Sequence, residues 1–261
     1  MNIVIPINMQ RSSIIYKAYL GVIEQDYDNL LKESKYFLHT KELKTIESLP
    51  ALSRRHSYLL GRAASKNAIK EYLKNNVRKN SFVYNHNILQ KINITNGIFE
   101  QPILENNFIN NLELSISHCE NIGVSTLFPS VHPIGIDLEV IDNKKLEIIN
   151  NFISKAESDF IKLSSNRDTL AAGIWSAREA LSKVFKTGLM VSNDIFAVTN
   201  IKKINNMIIT YMYKNFFQYK AASIRLNNGF ILTIAYPKNT VINLIFLYNE
   251  LNRGIKKGKV C

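Results

Sequence analysis

Pro133-Ile134-Gly135-Ile136-Asp137-Leu138-Glu139-Val140 sets acidic side chains into an apolar run. A strand turns successive side chains to opposite faces, so Asp137 and Glu139 share one face and Ile136 and Leu138 the other. Two carboxylates that close repel, and each raises the other's pKa unless a cation stands between them. A magnesium ion would relieve the repulsion, because it takes hard oxygen ligands: one or two carboxylates, substrate phosphates and water. A solvated strand face near a sheet edge gives the same pattern. Gly135, just ahead of the pair, leaves room for a ligand or a backbone to come close.

Upstream, Leu112, Leu114 and Ile116 alternate with Glu113, Ser115 and Ser117, a strand that ends at His118 and Cys119. Residues 123–128 read as a second strand, 129–133 as a turn and the likeliest seam, and 134–140 as a third strand. Leu52, Leu59, Ala63, Ile69 and Leu73 recur at near-helical spacing, which predicts one long helix over 51–73, started behind Pro50. Residues 28–48 read as helical in two short pieces. The stretch 75–111 is polar and Asn-rich, with a turn at Asn96-Gly97 and a breaker at Pro102; loops and weak strands are expected there. Downstream, helices are expected over 154–164 and 168–186, the first opened by a Ser154–Glu157 capping box. Segments 219–226 and 230–236 flank Asn227-Asn228-Gly229, a hairpin signal. This order gives an α+β fold. A long helix precedes strands in each half, so an internal duplication is open. The basic tail 253–261 is expected to fray.

The chain has 261 residues, 46% hydrophobic and 21% charged, enough for one domain with a sizeable core or two small ones. Two cysteines, Cys119 and Cys261, make no disulfide framework, and a reducing, cytoplasmic setting is expected. The opening Met1-Asn2-Ile3-Val4-Ile5-Pro6 lacks a basic start and the apolar length of a signal peptide. No apolar run reaches membrane-spanning length; the longest late one, 241–248, is broken by Asn243. The net charge of +12 draws anionic partners, whether nucleic acid, acidic proteins or phosphorylated small molecules. A Lys-, Asn- and Ile-rich nucleotide bias produces the same excess.

Trp175-Ser176-Ala177-Arg178-Glu179-Ala180-Leu181-Ser182-Lys183 reads as helix, with Trp175, Ala180 and Val184 on a buried stripe. Glu179 and Lys183 are four apart and so neighbours. They form either a surface ion pair, or an acid completing a metal site beside a lysine that meets a phosphate oxygen. His118 at its strand end donates to a phosphate or caps a loop. Arg54 and Arg62, eight apart, lie near one face of the long helix; they grip a phosphate in fork geometry or form a solvated basic face. Cys119 has no identifiable base and is read as a small buried residue. His39, His56, His86 and His132 fall in no metal-ligand spacing.

Taken together, these residues resemble the 4'-phosphopantetheinyl transferase superfamily, in particular the enterobactin synthetase component D type. The resemblance rests on Arg54-Arg55, Leu59-Leu60-Gly61-Arg62-Ala63-Ala64, Glu100-Gln101-Pro102, Ser115-Ile116-Ser117-His118-Cys119, the Asp137/Glu139 strand and the Trp175–Lys183 helix, and spans about residues 50–236. It implies two similar α+β halves with the active site between them: 1–130 with the coenzyme A phosphate contacts, 131–240 with the magnesium ligands, and 241–261 as a basic extension. It implies transfer of the phosphopantetheine arm of coenzyme A to a serine of an apo acyl or peptidyl carrier protein, releasing 3',5'-ADP. Asp137, Glu139 and Glu179 would hold magnesium. Lys183 would neutralise a diphosphate oxygen, and Arg54, Arg62, Ser117 and His118 would hold coenzyme A phosphates. Glu179 is the implied acceptor of the serine proton, or a ligand only. Carrier proteins are usually acidic, which suits the basic charge. A monomer is expected, serving secondary metabolism or siderophore assembly. Arg178 stands where many relatives carry lysine, and Gln101 where a lysine before proline is common, which puts that loop's role in doubt.

Two other function classes share some of these features. A metal-dependent nuclease or phosphohydrolase also clusters carboxylates with lysine. A non-catalytic nucleic-acid-binding protein would explain the charge, but neither an aromatic-basic platform nor a helix-turn-helix pattern is present to support it.

Overall fold

A computed structural model of the chain describes residues 2–76, 87–106, 109–188 and 194–254. The architecture is α+β, in two compact units. The first comprises Met1–Asn8 and Tyr16–His132, the second Met9–Ile15 and Pro133–Cys261.

The first unit takes most of strands β1 (Asn2–Arg11) and β2 (Ile14–Glu24). Helices α1 (Tyr27–Ser34), α2 (Thr40–Ser48) and α3 (Leu52–Asn76) follow, then a ribbon of β3 (Asn93–Asn96) and β4 (Pro102–Glu105), and strands β5 (Leu112–Cys119) and β6 (Ile122–Pro129). β2, β6 and β5 pair antiparallel, with Val22 and Ser117 on either side of Val124. α3 lies directly on this sheet. A Cβ at Gly21 would overlap the Ala64 carbonyl oxygen, so only glycine lets helix and strand backbones meet there. Ser65 Oγ donates to Ser125 Oγ across the same contact at 2.9 Å.

The second unit runs β7 (Gly135–Val140), α4 (Lys145–Asn150), α5 (Lys155–Lys162), α6 (Arg167–Phe185), β8 (Val198–Lys203), β9 (Ile208–Tyr213), β10 (Tyr219–Arg225), β11 (Phe230–Pro237), β12 (Val241–Ile242) and α7 (Leu244–Gly254). Its sheet has the order β7-β11-β10-β9-β8. Met9 and Gln10 pair with Ile242 and Val241 of β12. The core forms where Leu170, Ile174, Ala177 and Leu181 of α6 meet Tyr211, Tyr213, Ala221 and Ala235 of the sheet. Gly229, with φ +86°, turns the β10–β11 hairpin.

The expected elements are present, including the two short helices before α3 and the Ser154–Glu157 capping box. Several features differ from the sequence pattern or add to it. The β1–β2 hairpin was passed over, although Ile5, Ile7 and Met9 are buried at alternate positions; Pro6 in their midst argues against a strand. β8 and β9 were also missed, and so were α4, too short for a periodic signal, and α7. Arg253 and Gly254, expected to fray, close α7; residues 255–261 lie outside the described residues, as does His86. Cys119 is half-buried rather than buried. Among the described residues, no helix is long and apolar enough to cross a membrane.

Candidate active site

Gly135 opens β7, and a Cβ there would overlap the Ala180 carbonyl oxygen of α6. The room left by the missing side chain is thus filled by a backbone. This seat draws α6 onto β7 and brings Lys183 to the strand. Its Nζ donates to Asp137 Oδ1 at 2.7 Å and to the Ile136 carbonyl at 3.1 Å. Lys183 therefore reaches across to the strand carboxylate rather than simply closing an i,i+4 pair along its helix. Glu139, two residues along the same face, is held by Lys145 Nζ at 2.9 Å.

Asp137 is buried, while Glu139 and Glu179 are half-buried. Burial and the charge on Asp137 push the Glu179 carboxyl up to about 7; Glu139 adds to the push, and Lys183 and Arg178 oppose it. Burial and Asp137 also raise Glu139, against Lys145 and Lys183. Asp137, Glu139 and Glu179 thus share one field. A carboxyl titrating near 7 can take or give a proton at neutral pH.

Among the described residues, no three His, Cys, Asp or Glu side chains stand as a ready metal-holding group. As they stand, two of the three carboxylates are engaged by lysine ammonium groups. The donor chemistry nonetheless fits a hard divalent cation. The set is all oxygen, partly withdrawn from water, and burial followed by the charge on Asp137 makes Glu179 harder to ionise. An apolar cavity of about 320 Å³ opens beside Glu139 and Lys145, walled by Ile148, Phe152 and Trp175. Trp175 is therefore half core, half cavity wall, edge-on to Phe152 at 5.9 Å.

In the first unit the expected residues fall into unlike settings. Arg54 is exposed in the first turn of α3. Arg62, two turns on, is only 7% exposed. Its Nε lies 3.4 Å from Glu42 Oε1, its Nη2 donates to Asn96 Oδ1 at 3.2 Å, and its guanidinium stacks 4.3 Å from the Tyr58 ring. The two arginines therefore share a helix but differ in setting: Arg62 is held by its neighbours and Arg54 is open to solvent. Glu42 also takes Lys66 Nζ at 2.8 Å. Burial lowers the Lys66 pKa, against the pull of Glu42. Arg62 borders a cavity of about 370 Å³ with Lys41, Tyr58, Asn96 and Glu105. Ser117 is buried on β5 and His118 exposed beside it.

Two further groups escaped the sequence reading. Arg178, 1% exposed, donates from Nη1 to Glu157 Oε2 at 2.8 Å, and Glu157 Oε1 accepts the Val198 amide at 2.8 Å. The charge at this position serves a buried ion pair, and the capping box at Glu157 was the only hint of it. Lys145 sits in a helix too short to be read.

Residues 133–235 match the 4'-phosphopantetheinyl transferase superfamily model. The match covers less than half of the chain, and holds β7 and α6 with Asp137, Glu139, Glu179 and Lys183. No curated protein matches the chain. Among solved structures, it is similar to a holo-(acyl-carrier-protein) synthase from Bacillus anthracis, in complex with CoA (3',5'-ADP), at 22% identity, covering 48% of this chain and 96% of that one, with a TM-score of 0.35. The holo-[acyl-carrier-protein] synthase of Thermotoga maritima is similar at 17% identity, covering 56% and 74%, with a TM-score of 0.32. Likeness at this level adds nothing to the fold described from the coordinates.

Proposed function

We propose that the chain transfers the 4'-phosphopantetheine arm of coenzyme A to a serine of an apo carrier protein and releases 3',5'-ADP. The observation that carries the reading is the Glu179 carboxyl, raised to about 7 beside Asp137, Glu139 and Lys183 within the segment that matches the superfamily. The serine hydroxyl attacks the phosphorus that bears the arm, and the bond from that phosphorus to the oxygen of 3',5'-ADP breaks. Glu179 accepts the serine proton, directly or through a water. Lys183 meets the negative charge of the diphosphate. Arg54, Arg62, Ser117 and His118 hold coenzyme A phosphates. Asp137, Glu139 and Glu179 would hold magnesium, which when bound would neutralise charge on the diphosphate oxygens. Manganese suits the same donors.

The finer reading is an enzyme of the enterobactin synthetase component D type. It would work as a cytoplasmic monomer on carriers of nonribosomal-peptide or siderophore assembly, its support being the motif set. The test is the intact mass of apo acyl and peptidyl carriers after incubation with the chain, coenzyme A and magnesium. A gain of one phosphopantetheine is expected, largest on peptidyl carriers. No gain on any carrier would overturn the reading; a gain on fatty-acid carriers alone would overturn the pathway. Glu179→Gln should abolish the gain while circular dichroism stays unchanged.

A further inference from the structure

Acidic residues are unevenly spread in the second unit. From 195 to 249 there is no Asp or Glu, while Lys202, Lys203, Lys214, Lys220, Arg225 and Lys238 fall in that stretch; nor is there one before Glu24. Lys202 and Lys203 lie on β8, at the edge of the sheet, where lysine commonly blocks strand addition. Edge protection does not account for the others.

The fold joins several of them. Tyr219 stands opposite Pro237 in the β10–β11 register, and Lys220 opposite Tyr236, with its ammonium 5.1 Å from that ring. Lys238 follows, and Arg11 at the β1 hairpin tip acts on Tyr219. Burial, and then the charge of nearby Lys238, lowers the Lys220 pKa. Gln10, beside Arg11, pairs with Val241 of β12, which leads into α7.

Between these cations stand apolar side chains turned to solvent. Phe217, in the turn before β10, is 72% exposed and Val241 65%; Ile14 beside the hairpin tip and Ile245 and Phe246 in the first turn of α7 are exposed too. α7 buries Leu244, Leu247 and Leu251 inward, so Ile245 and Phe246 are surplus to its packing. Single exposed apolar residues are ordinary. These lie at a turn and at element starts among lysines and arginines, and the nearest carboxylate along α7, Glu250, is paired with Arg253 at 2.8 Å.

We propose that this face of the second unit docks on an anionic lipid bilayer. Cations drawn to acidic headgroups, with apolar tips entering the boundary between headgroup and acyl chain, are what interfacial binding uses. Nucleic acid fits less well, because three of the five exposed apolar side chains, Ile14, Val241 and Ile245, offer no ring for a base to stack on, and only Phe217 and Phe246 do. The inference does not depend on the transfer reaction.

Vesicle co-sedimentation of the full chain tests it, using phosphatidylcholine alone and phosphatidylcholine with phosphatidylglycerol. Binding is expected only with phosphatidylglycerol and should weaken as salt rises. Phe217→Ser with Phe246→Ser should lower partitioning about tenfold, as should Lys220→Gln with Lys238→Gln. Both phenylalanines are exposed, so the fold and carrier transfer should persist in that variant. Four results would overturn the proposal: no binding to phosphatidylglycerol vesicles, equal binding to both vesicle types, unchanged binding of both double variants, or single-stranded DNA retained where vesicles are not. Self-association in sedimentation velocity, abolished by the phenylalanine variant while vesicles stay unbound, would instead assign the face to a second copy.

Discussion

In the first unit the third residue of α2, Glu42, turns back to the His39 amide, accepts the Ile94 amide and meets Arg62 of α3. In the second, the third residue of α5, Glu157, turns back to the Ser154 amide, accepts the Val198 amide and meets Arg178 of α6. Each buried carboxylate thus ties a capping box, a strand and a long helix together. The difference lies in charge and in closure. Glu157 faces one cation, which is sealed from solvent. Glu42 faces two, Arg62 and Lys66, and Arg62 borders the cavity of about 370 Å³. The balanced pair is sealed inside the fold, and Arg178 reaches the site only through its charge on Glu179. The unbalanced one leaves Arg62 at a cavity wall, with Lys41 and Glu105 beside it.

Glu42→Ala should break this comparison most severely, because it strands two buried cations and two backbone amides. The cost of removing one partner of a buried pair is about 3–5 kcal/mol, and here it should reach or exceed the top of that range. Glu157→Ala should cost about 3 kcal/mol, nearer the bottom. Urea midpoints would show the ranking, and equal losses would erase the distinction. Replacing Glu157 by Leu and Arg178 by Met together should recover the part of the second loss that comes from the stranded guanidinium, read as coupling in a double-mutant cycle, while the Ser154 and Val198 amides stay unpaired.

Gly135→Ala should cost about 1–3 kcal/mol, since the new methyl meets the Ala180 carbonyl and must lift α6. Transfer should fall with it, because Lys183 moves away from Asp137. A smaller, pH-dependent effect is expected at Glu179. Its folded-state pKa of about 7 lies above the ordinary 4.5, so the fold binds that proton more tightly than the unfolded chain does. Stability from this group is present below 4.5 and lost as pH rises towards 7. Glu179→Gln should therefore melt about 2–4 °C above the parent at pH 8 and level with it at pH 4. Magnesium should narrow the pH 8 gap by stabilising the parent. Arg54→Ala should leave the melting temperature unchanged and raise only the KM for coenzyme A, since Arg54 is exposed and lacks the buried contacts of Arg62.

Strong periodicity and punctuation made much of the fold legible. Leu52 to Leu73 spelled out α3, and Asn228-Gly229 spelled out a hairpin. β8 is hidden because Val198–Lys203 is mostly solvated, so its alternation is faint; β9, Ile208–Tyr213, is a short, mostly buried run that shows no alternation of apolar and polar residues. At the site, period two put Asp137 and Glu139 on one face, and the helix repeat set Glu179 beside Lys183. Spacing within one helix cannot show that Lys183 would reach across to Asp137; that depends on how closely α6 seats at Gly135. Glu42 was missed because its N-cap is His39, not the Ser, Thr, Asp or Asn that flags a capping box. Arg54 and Arg62 look alike in sequence because both lie on the long helix, yet Arg62 is buried against Glu42, Asn96 and Tyr58 while Arg54 is exposed.

The β1–β2 hairpin has a practical consequence for dissecting the protein. Its tip, Met9–Ile15, is counted with the second unit, while the rest of both strands belongs to the first. A single cut between His132 and Pro133 would leave β12 without Met9 and Gln10, exposing two unpaired strand backbones and their hydrogen-bonding groups. A C-terminal fragment made that way would be sticky. An independently folding version calls for grafting the hairpin tip back on, as in a circularly permuted chain.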